Sequence, residues 1–143
     1  MKSISKSLTS SKAFSRIIFL FGPTGVGKTE LLLDLDPQRF SVINADSIQV
    51  YRHLDIGSAK ASKEVQDAIT HHLIDVKDPW EQFSVGDFIT YADEACEKIH
   101  REGKIPVISG GTAYYFKHFL YGLSEAPPSD ESIRAQVSAE IEA

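Results

Sequence analysis

The 143-residue chain contains a single cysteine, Cys96. One thiol cannot close an internal disulfide, which excludes a disulfide-stapled secreted scaffold and suits a reducing, cytoplasmic compartment. Cys96 lies in the helical-looking run from Tyr91 to His100 and is expected to act as a small core hydrophobe. Basic charge is also short: the net charge is −5, against the basic face or stripe that a self-sufficient nucleic-acid binder carries. Any RNA contact must come from local groups. No apolar run is long enough to cross a membrane. Metal-ligand clusters are missing too. His71 and His72 are adjacent, so on a strand they point to opposite faces, and neither has a Cys or His partner at ligand spacing. A packing role is expected for both, while His53, His100 and His118 are isolated.

Acidic residues are absent from the start of the chain, the first carboxylate being Glu30. The serine- and lysine-rich segment 1–15 is read as a flexible N-terminal tail, with an organelle transit peptide as the alternative. With 42% hydrophobic residues, the remaining segment 16–143 can bury one core and is expected to form one domain.

From Arg16 onward, short apolar strands alternate with helical patterns, the signature of βαβ units and an α/β fold with a parallel sheet covered by helices. Strands are predicted at Arg16 to Phe21, Phe40 to Asn44 and Ile105 to Ser109, with His72-Leu73-Ile74 as a short strand or extended segment. Helices are predicted from Lys28 to before Pro37, after Ser62, after the Ser84/Asp87 capping box up to Gly103, and over Tyr114 to Tyr121 with Gly122 as the stop. The aromatics Tyr114, Tyr115, Phe116 and Phe119 fall at helical spacing and are expected in the core. Pro127-Pro128 predicts a break, and Ser129 the cap of a last helix.

Directly after the first strand stands Gly22-Pro23-Thr24-Gly25-Val26-Gly27-Lys28-Thr29, which fits GxxxxGK[ST]. A strand feeding a glycine-rich turn that opens a helix aims backbone N–H groups and a lysine at one oxyanion cluster. The fold expectation is therefore a P-loop NTPase-like three-layer architecture. In such a sheet the ligand lies beyond the carboxyl ends of the strands. Two further segments follow strands: Asn44 to Tyr51, with Asp46 and Gln49, and Ser109-Gly110-Gly111-Thr112. Around one cavity, Lys28 would neutralise phosphates, the Thr29 hydroxyl would ligate Mg²⁺ and Asp46 would act as a base. Asp46-Ser47 is equally suited to capping a turn.

GPTGVGKT, ADSIQVYRHLDIGSAK (45–60), HHLIDVKDP (71–79), FSVGDF (83–88) and SGGTAYYFK (109–117) together resemble the tRNA dimethylallyltransferase family in order and spacing. The resemblance runs from Ile17 to Val137; adenylate isopentenyltransferases are similar, but the Ala-Asp-Ser form of the second element fits the tRNA-modifying branch better. It implies transfer of a dimethylallyl group from dimethylallyl diphosphate to the exocyclic amine of the adenosine beside the tRNA anticodon, with diphosphate leaving and Mg²⁺ as cofactor. The catalytic positions it implies are Asp46, Lys28 and Thr112. Residues 22–29 would hold the diphosphate, and Asp46, Ser47, Ile48, Gln49, Thr112 and Arg134 would face the tRNA, with the adenine flipped out of its stack. Arg134 reads equally well as a solvated surface charge. Ser58 stands where the family often has threonine.

The family continues beyond the point where this sequence stops, into a tRNA-clasping insertion and C-terminal helices. The expectation is thus a monomeric, incomplete form that binds diphosphate or nucleotide yet is inactive or very weak on tRNA. Two other readings stay open. A small-molecule kinase would use the same loop on ATP and set Asp46 against a hydroxyl, though only Arg101 lies between the Ser84 helix and Gly110 to build an arginine-bearing lid. The third reading is a binding module without catalysis.

Overall fold

Six residues after the glycine loop's first glycine, Lys28 starts the first helix, and every later element follows from similarly local signals. The computed structural model describes residues 16–123 and 131–142. The order is β1 (Ile18–Phe21), α1 (Lys28–Leu33), β2 (Phe40–Asn44), α2 (Lys63–Ala68), β3 (His71–His72), α3 (Val85–Arg101), β4 (Ile105–Gly110), α4 (Ala113–Tyr121) and α5 (Glu131–Glu142). The predicted tail, the Pro127-Pro128 break and the Ser129 cap lie outside the described residues.

All four described strands are parallel, in the order β1-β4-β2-β3. Alternation along β2 and β4 sorts the two faces. Val42 and Val107 pack with Leu32 and Ile69 on the α1/α2 side. Ile43 and Ile108 pack with Phe88, Ala92, Cys96, Ile99, Tyr115 and Phe116 on the α3/α4 side. The α/β three-layer expectation therefore holds, with both faces of the parallel sheet covered as such sheets require.

Three of the described strands differ in their limits from the sequence expectation: β4 runs one residue further, to Gly110, and β1 and β3 are shorter or shifted. Ile105 donates its N–H to Arg39 on the β2 side, so the next residue, Pro106, faces β1 without a donor, and the β1 ladder begins only at the Ile18–Val107 pair. β3 sits one residue earlier than expected, because Leu73 (φ 63°) and Asp75 (φ 55°) adopt left-handed backbone that ends the extended run at His72. Among the described strands β1 is an edge, and Ile18 (43%) and Phe21 (56%) are exposed there.

Helix α3 is the largest element, and its start is doubly secured. The Ser84 hydroxyl accepts from Asp87 N–H at 3.2 Å while the Asp87 carboxylate takes Ser84 N–H at 2.8 Å. That contact holds the Asp87 carboxyl below its ordinary range. Ser84→Ala is expected to cost about 1 kcal/mol in chemical denaturation, with the slope of the transition unchanged because the buried face is untouched. Gly103 (φ 75°) ends the helix as expected. Cys96 is buried and its thiol is pushed up to about 11 by burial, in keeping with a core role. In α4, Tyr115 and Phe116 are buried and Tyr115 stacks on Phe88 at 4.3 Å, but Tyr114 is a correction: it is exposed and packs edge-on against His118.

No described helix is long and apolar enough to cross a membrane.

Candidate functional site

β1 and β4 are neighbours, and the helices that follow them, α1 and α4, lie on opposite faces of the sheet. A crevice opens between such strands at their carboxyl ends. Three loops meet there and are tied to one another through the backbone. Gly22 N–H donates to Gly110 O at 3.2 Å, Ala45 N–H to Ser109 O at 2.7 Å, and Thr112 N–H to Ala45 O at 3.3 Å. The approach is close enough that a Cβ on Gly110 would lie 2.1 Å from Ala45 O.

A cavity of about 280 Å³ occupies this edge. Thr24, Gly25, Gly27, Lys28, Thr29, Asp46 and Gln49 line it, joined by Asn44, Ser109, Gly110 and Gly111. Gly25 (φ 80°) and Gly27 (φ 88°) have left-handed backbone, which is why the loop needs glycine at those two positions. Lys28 Nζ donates to Gly22 O at 2.7 Å and to Pro23 O at 2.6 Å, curling its stem over the loop and keeping one hydrogen for another acceptor. The Thr29 hydroxyl has no hydrogen bond among the described residues.

Asp46 uses one oxygen structurally. Oδ1 accepts from Ile48 N–H at 2.9 Å and from Gln49 N–H at 3.2 Å, the turn-capping role that sequence alone left open. Among the described residues Oδ2 receives no hydrogen bond, so capping and proton acceptance are compatible on one carboxylate. Thr112 does not line the cavity; its hydroxyl accepts from Ser47 N–H at 3.2 Å and links the β4 loop to the Asp46 turn. Gln49 lines the cavity but commits its amide nitrogen to Ser58 O (3.0 Å) and Ala59 O (3.3 Å). Ile48 instead lines a neighbouring hollow with His53, Leu54 and Ile56. Gly22, Pro23, Val26 and Ser47 are outside the cavity wall, and Arg134 is exposed on α5 without a place in it.

The segment DIGSAK is held down by Lys60. Its side chain is 4% exposed, and the ammonium donates to Asp75 (2.5 Å), Asp55 (2.7 Å) and Tyr51 O (2.8 Å). Burial works against this charge, yet the hydrogen bonds that it donates to Asp55 and Asp75 outweigh burial and raise the Lys60 pKa. Ala59 and Ala61, on either side, complete the cavity wall.

His71 also lines the cavity, which sequence reasoning missed. Its Nδ1 pairs with Ile69 O at 2.7 Å, and burial lowers its pKa. His72 faces the α3 side, where burial and then Lys98 lower its pKa and its Nε2 is buried without a partner. Both rings are neutral in the folded chain where the unfolded chain would already take up protons. Stability is therefore full above the ordinary histidine value of 6.5 and falls as pH drops through it. Thermal melts should show Tm falling between about pH 6.5 and 5, ahead of carboxylate protonation, and His72→Phe should flatten that slope. A Tm flat over this window contradicts the assignment. No group of three or more His, Cys, Asp or Glu able to hold a metal occurs among the described residues.

Comparison with known proteins places this geometry. The IPP transferase family model matches residues 49–143 and the isopentenyl transferase model residues 15–79. The tRNA dimethylallyltransferase of Borrelia hermsii is 43% identical over 125 residues, covering 87% of this chain and 42% of that protein. The tRNA dimethylallyltransferase of Protochlamydia amoebophila is 46% identical over 128 residues, covering 89% of this chain and 37% of its own. The full-length tRNA isopentenylpyrophosphate transferase of Bacillus halodurans superposes with TM-score 0.70 at 38% identity, over 90% of this chain and 43% of that one. A eukaryotic dimethylallyltransferase captured acting on tRNA gives 0.69 at 35% identity, over 80% and 28%. The chain thus spans 37–42% of the length of these two sequence relatives. On sequence and fold together, the chain belongs to the IPP transferase family.

Proposed function

We propose that this chain carries the donor site and the acceptor-activating carboxylate of a tRNA-modifying transferase, acting on dimethylallyl diphosphate and the exocyclic amine of the adenosine beside the anticodon. What supports the reading is the knitting of the loops after β1, β2 and β4, which sets Lys28 and Asp46 on the walls of one cavity. In the reaction the carbon–oxygen bond of the donor breaks, its electron pair passes to the diphosphate, a carbon–nitrogen bond forms, and the amine loses a proton. Lys28 and the amides of residues 24–29 stabilise the charge that grows on the leaving group, the kind of preorganised contribution that is usually the largest in catalysis. Asp46 Oδ2 takes the amine proton. Thr112, through Ser47, fixes the turn that carries Asp46. The tRNA face of the site is assigned to the Ser47, Ile48 and Gln49 turn.

Mg²⁺ fits as a cofactor shared with the donor. The cavity offers the uncommitted Thr29 hydroxyl and no carboxylate cluster, which matches an ion held mainly by substrate phosphates. It would neutralise charge on the leaving diphosphate.

The test is single-turnover transfer of label from dimethylallyl diphosphate to tRNA at chain concentrations high enough to count the very weak transfer expected, with donor affinity measured in parallel. Asp46→Asn keeps the Oδ1 acceptor for Ile48 and Gln49 but removes the base. Donor binding should stay within about twofold while transfer drops by roughly 100-fold or more, in the range of general-base loss. Label moving from ATP to a small hydroxyl acceptor, with none from dimethylallyl diphosphate, would establish a kinase instead.

A further inference from the structure

Lys60 stands apart from the reacting groups, yet its bonds lead back to Asp46. An ammonium has three hydrogens to give, and those of Lys60 go to Tyr51 O at 2.8 Å, Asp55 Oδ1 at 2.7 Å and Asp75 Oδ1 at 2.5 Å. The acceptors belong to three segments: the run after the Asp46 turn, the DIGSAK loop and the stretch after β3. Gln49 closes the network from the other side. Asp75 N–H donates to Gln49 O at 3.3 Å, and Gln49 Nε2 donates to Ser58 O at 3.0 Å and Ala59 O at 3.3 Å. The bonds form a ring from Gln49 to Asp75, to Lys60, along the chain to Ala59 and Ser58, and back to Gln49. Ala59 (φ 49°) and Asp75 (φ 55°) hold left-handed backbone, which a non-glycine residue keeps where its surroundings impose it. Gln49 N–H in turn donates to Asp46 Oδ1 at 3.2 Å. Thr112 therefore holds the Asp46 turn at its Ser47 end, and the ring holds it at its Gln49 end.

We infer that Lys60 is a positioning residue: by closing this ring it fixes Gln49, and through Gln49 the turn that presents Oδ2 of Asp46 to the cavity. The inference rests on the assignment of Asp46 as the base. Without the ammonium, two carboxylates that shared one cation are left to repel each other, and the ring opens at its junction. The Gln49 end of the turn then loosens. A displacement of about 1 Å is enough to cost a reaction roughly 100-fold. Among the described residues no hydrogen bond joins the ring to residues 22–29, so diphosphate binding by the glycine loop is independent of it.

Lys60→Met, which keeps the apolar stem, is the test, with three readouts on the 143-residue chain: inorganic diphosphate affinity, amide hydrogen exchange by NMR, and single-turnover transfer at saturating dimethylallyl diphosphate. Diphosphate affinity should stay within about twofold, while transfer falls by roughly 10-fold or more. The Ile48 and Gln49 amides, the two donors to Asp46 Oδ1, should exchange about 10-fold faster, with the Ala45 amide in the β2–β4 junction unchanged. In an Asp46→Asn background Lys60→Met should lower transfer by less than about twofold more, because the ring acts only by way of that carboxylate. Lys63→Met is the control: its exposed pair with Asp67 lies outside the ring, and all three readouts should match the unaltered chain. Should Lys60→Met fail to fold, Asp55→Ala removes one exposed arm of the junction and should speed exchange and slow transfer by about threefold. Unchanged exchange at Ile48 and Gln49, or the same fractional loss of transfer with and without the Asp46 carboxylate, overturns the inference and leaves Asp46 as the base. Undiminished transfer by Asp46→Asn alone overturns both.

Discussion

Lys28→Met weakens diphosphate binding by about 100-fold with little change in stability. The binding loss follows from removing a charged donor, which contributes roughly 1.5–3 kcal/mol when it faces an anion in a sheltered site. Most of the stability is spared because, of the two loop carbonyls that the ammonium binds, Pro23 O (2.6 Å) is exposed and passes to water when the lysine goes, while Gly22 O (2.7 Å), in a buried residue, loses one partner. Methionine keeps the length and apolar stem of the side chain. Titration with diphosphate and a thermal melt of the same sample check both parts. A variant that binds diphosphate within threefold of the parent chain would show that the loop is not the anion site.

Gly110→Ala has the largest expected effect on the fold. Its Cβ would stand 2.1 Å from Ala45 O, 2.5 Å from Ala45 C and 2.9 Å from Ala45 Cα. These are backbone atoms, so no rotamer change relieves the overlap, and β4 must separate from β2 where Ala45 N–H meets Ser109 O. The expected cost is about 3 kcal/mol or more, at the upper end for overpacking, which is a large share of the 5–15 kcal/mol that typically holds a domain together. Separation also pulls the Asp46 turn away from the glycine loop, so diphosphate affinity and stability fall together. Gly57→Ala is the control. Nothing lies within 4 Å of its added methyl, and no measurable change is expected. Denaturant midpoints for the two variants that coincide would contradict the close-approach argument.

Much of the architecture was legible in local sequence because local chemistry decides it. The Ser62 and Ser84 caps, the stop at Gly103 and the β2 limits Phe40 and Asn44 appear in the structure where the sequence placed them. Each depends on side chains within a few positions. The β1 start was not legible, because it is set by Pro106, nearly ninety positions away and opposite it in the sheet. Nor was the end of β3, since nothing in the letters of Leu73 and Asp75 signals left-handed backbone. The site divides in the same way. The glycine loop and Asp46 announce themselves by spacing, and the cavity includes Lys28, Thr29, Asp46 and Gln49. His71 enters through its pairing with Val42 and Ala61 through the Lys60 clamp, both of them tertiary events without a sequence signature. Thr112 shows a third pattern: it reaches the site neighbourhood, but as a partner of Ser47 rather than as part of the cavity wall.

The most direct test of the donor site is a crystal structure of the chain with dimethylallyl thiolodiphosphate and Mg²⁺. The account predicts the anionic head against Lys28 Nζ and the amides of residues 24–29, with the carbon that undergoes attack turned toward Asp46. The head group lodged in the hollow beside Ile48 and Ile56, or anywhere out of contact with Lys28, would contradict it.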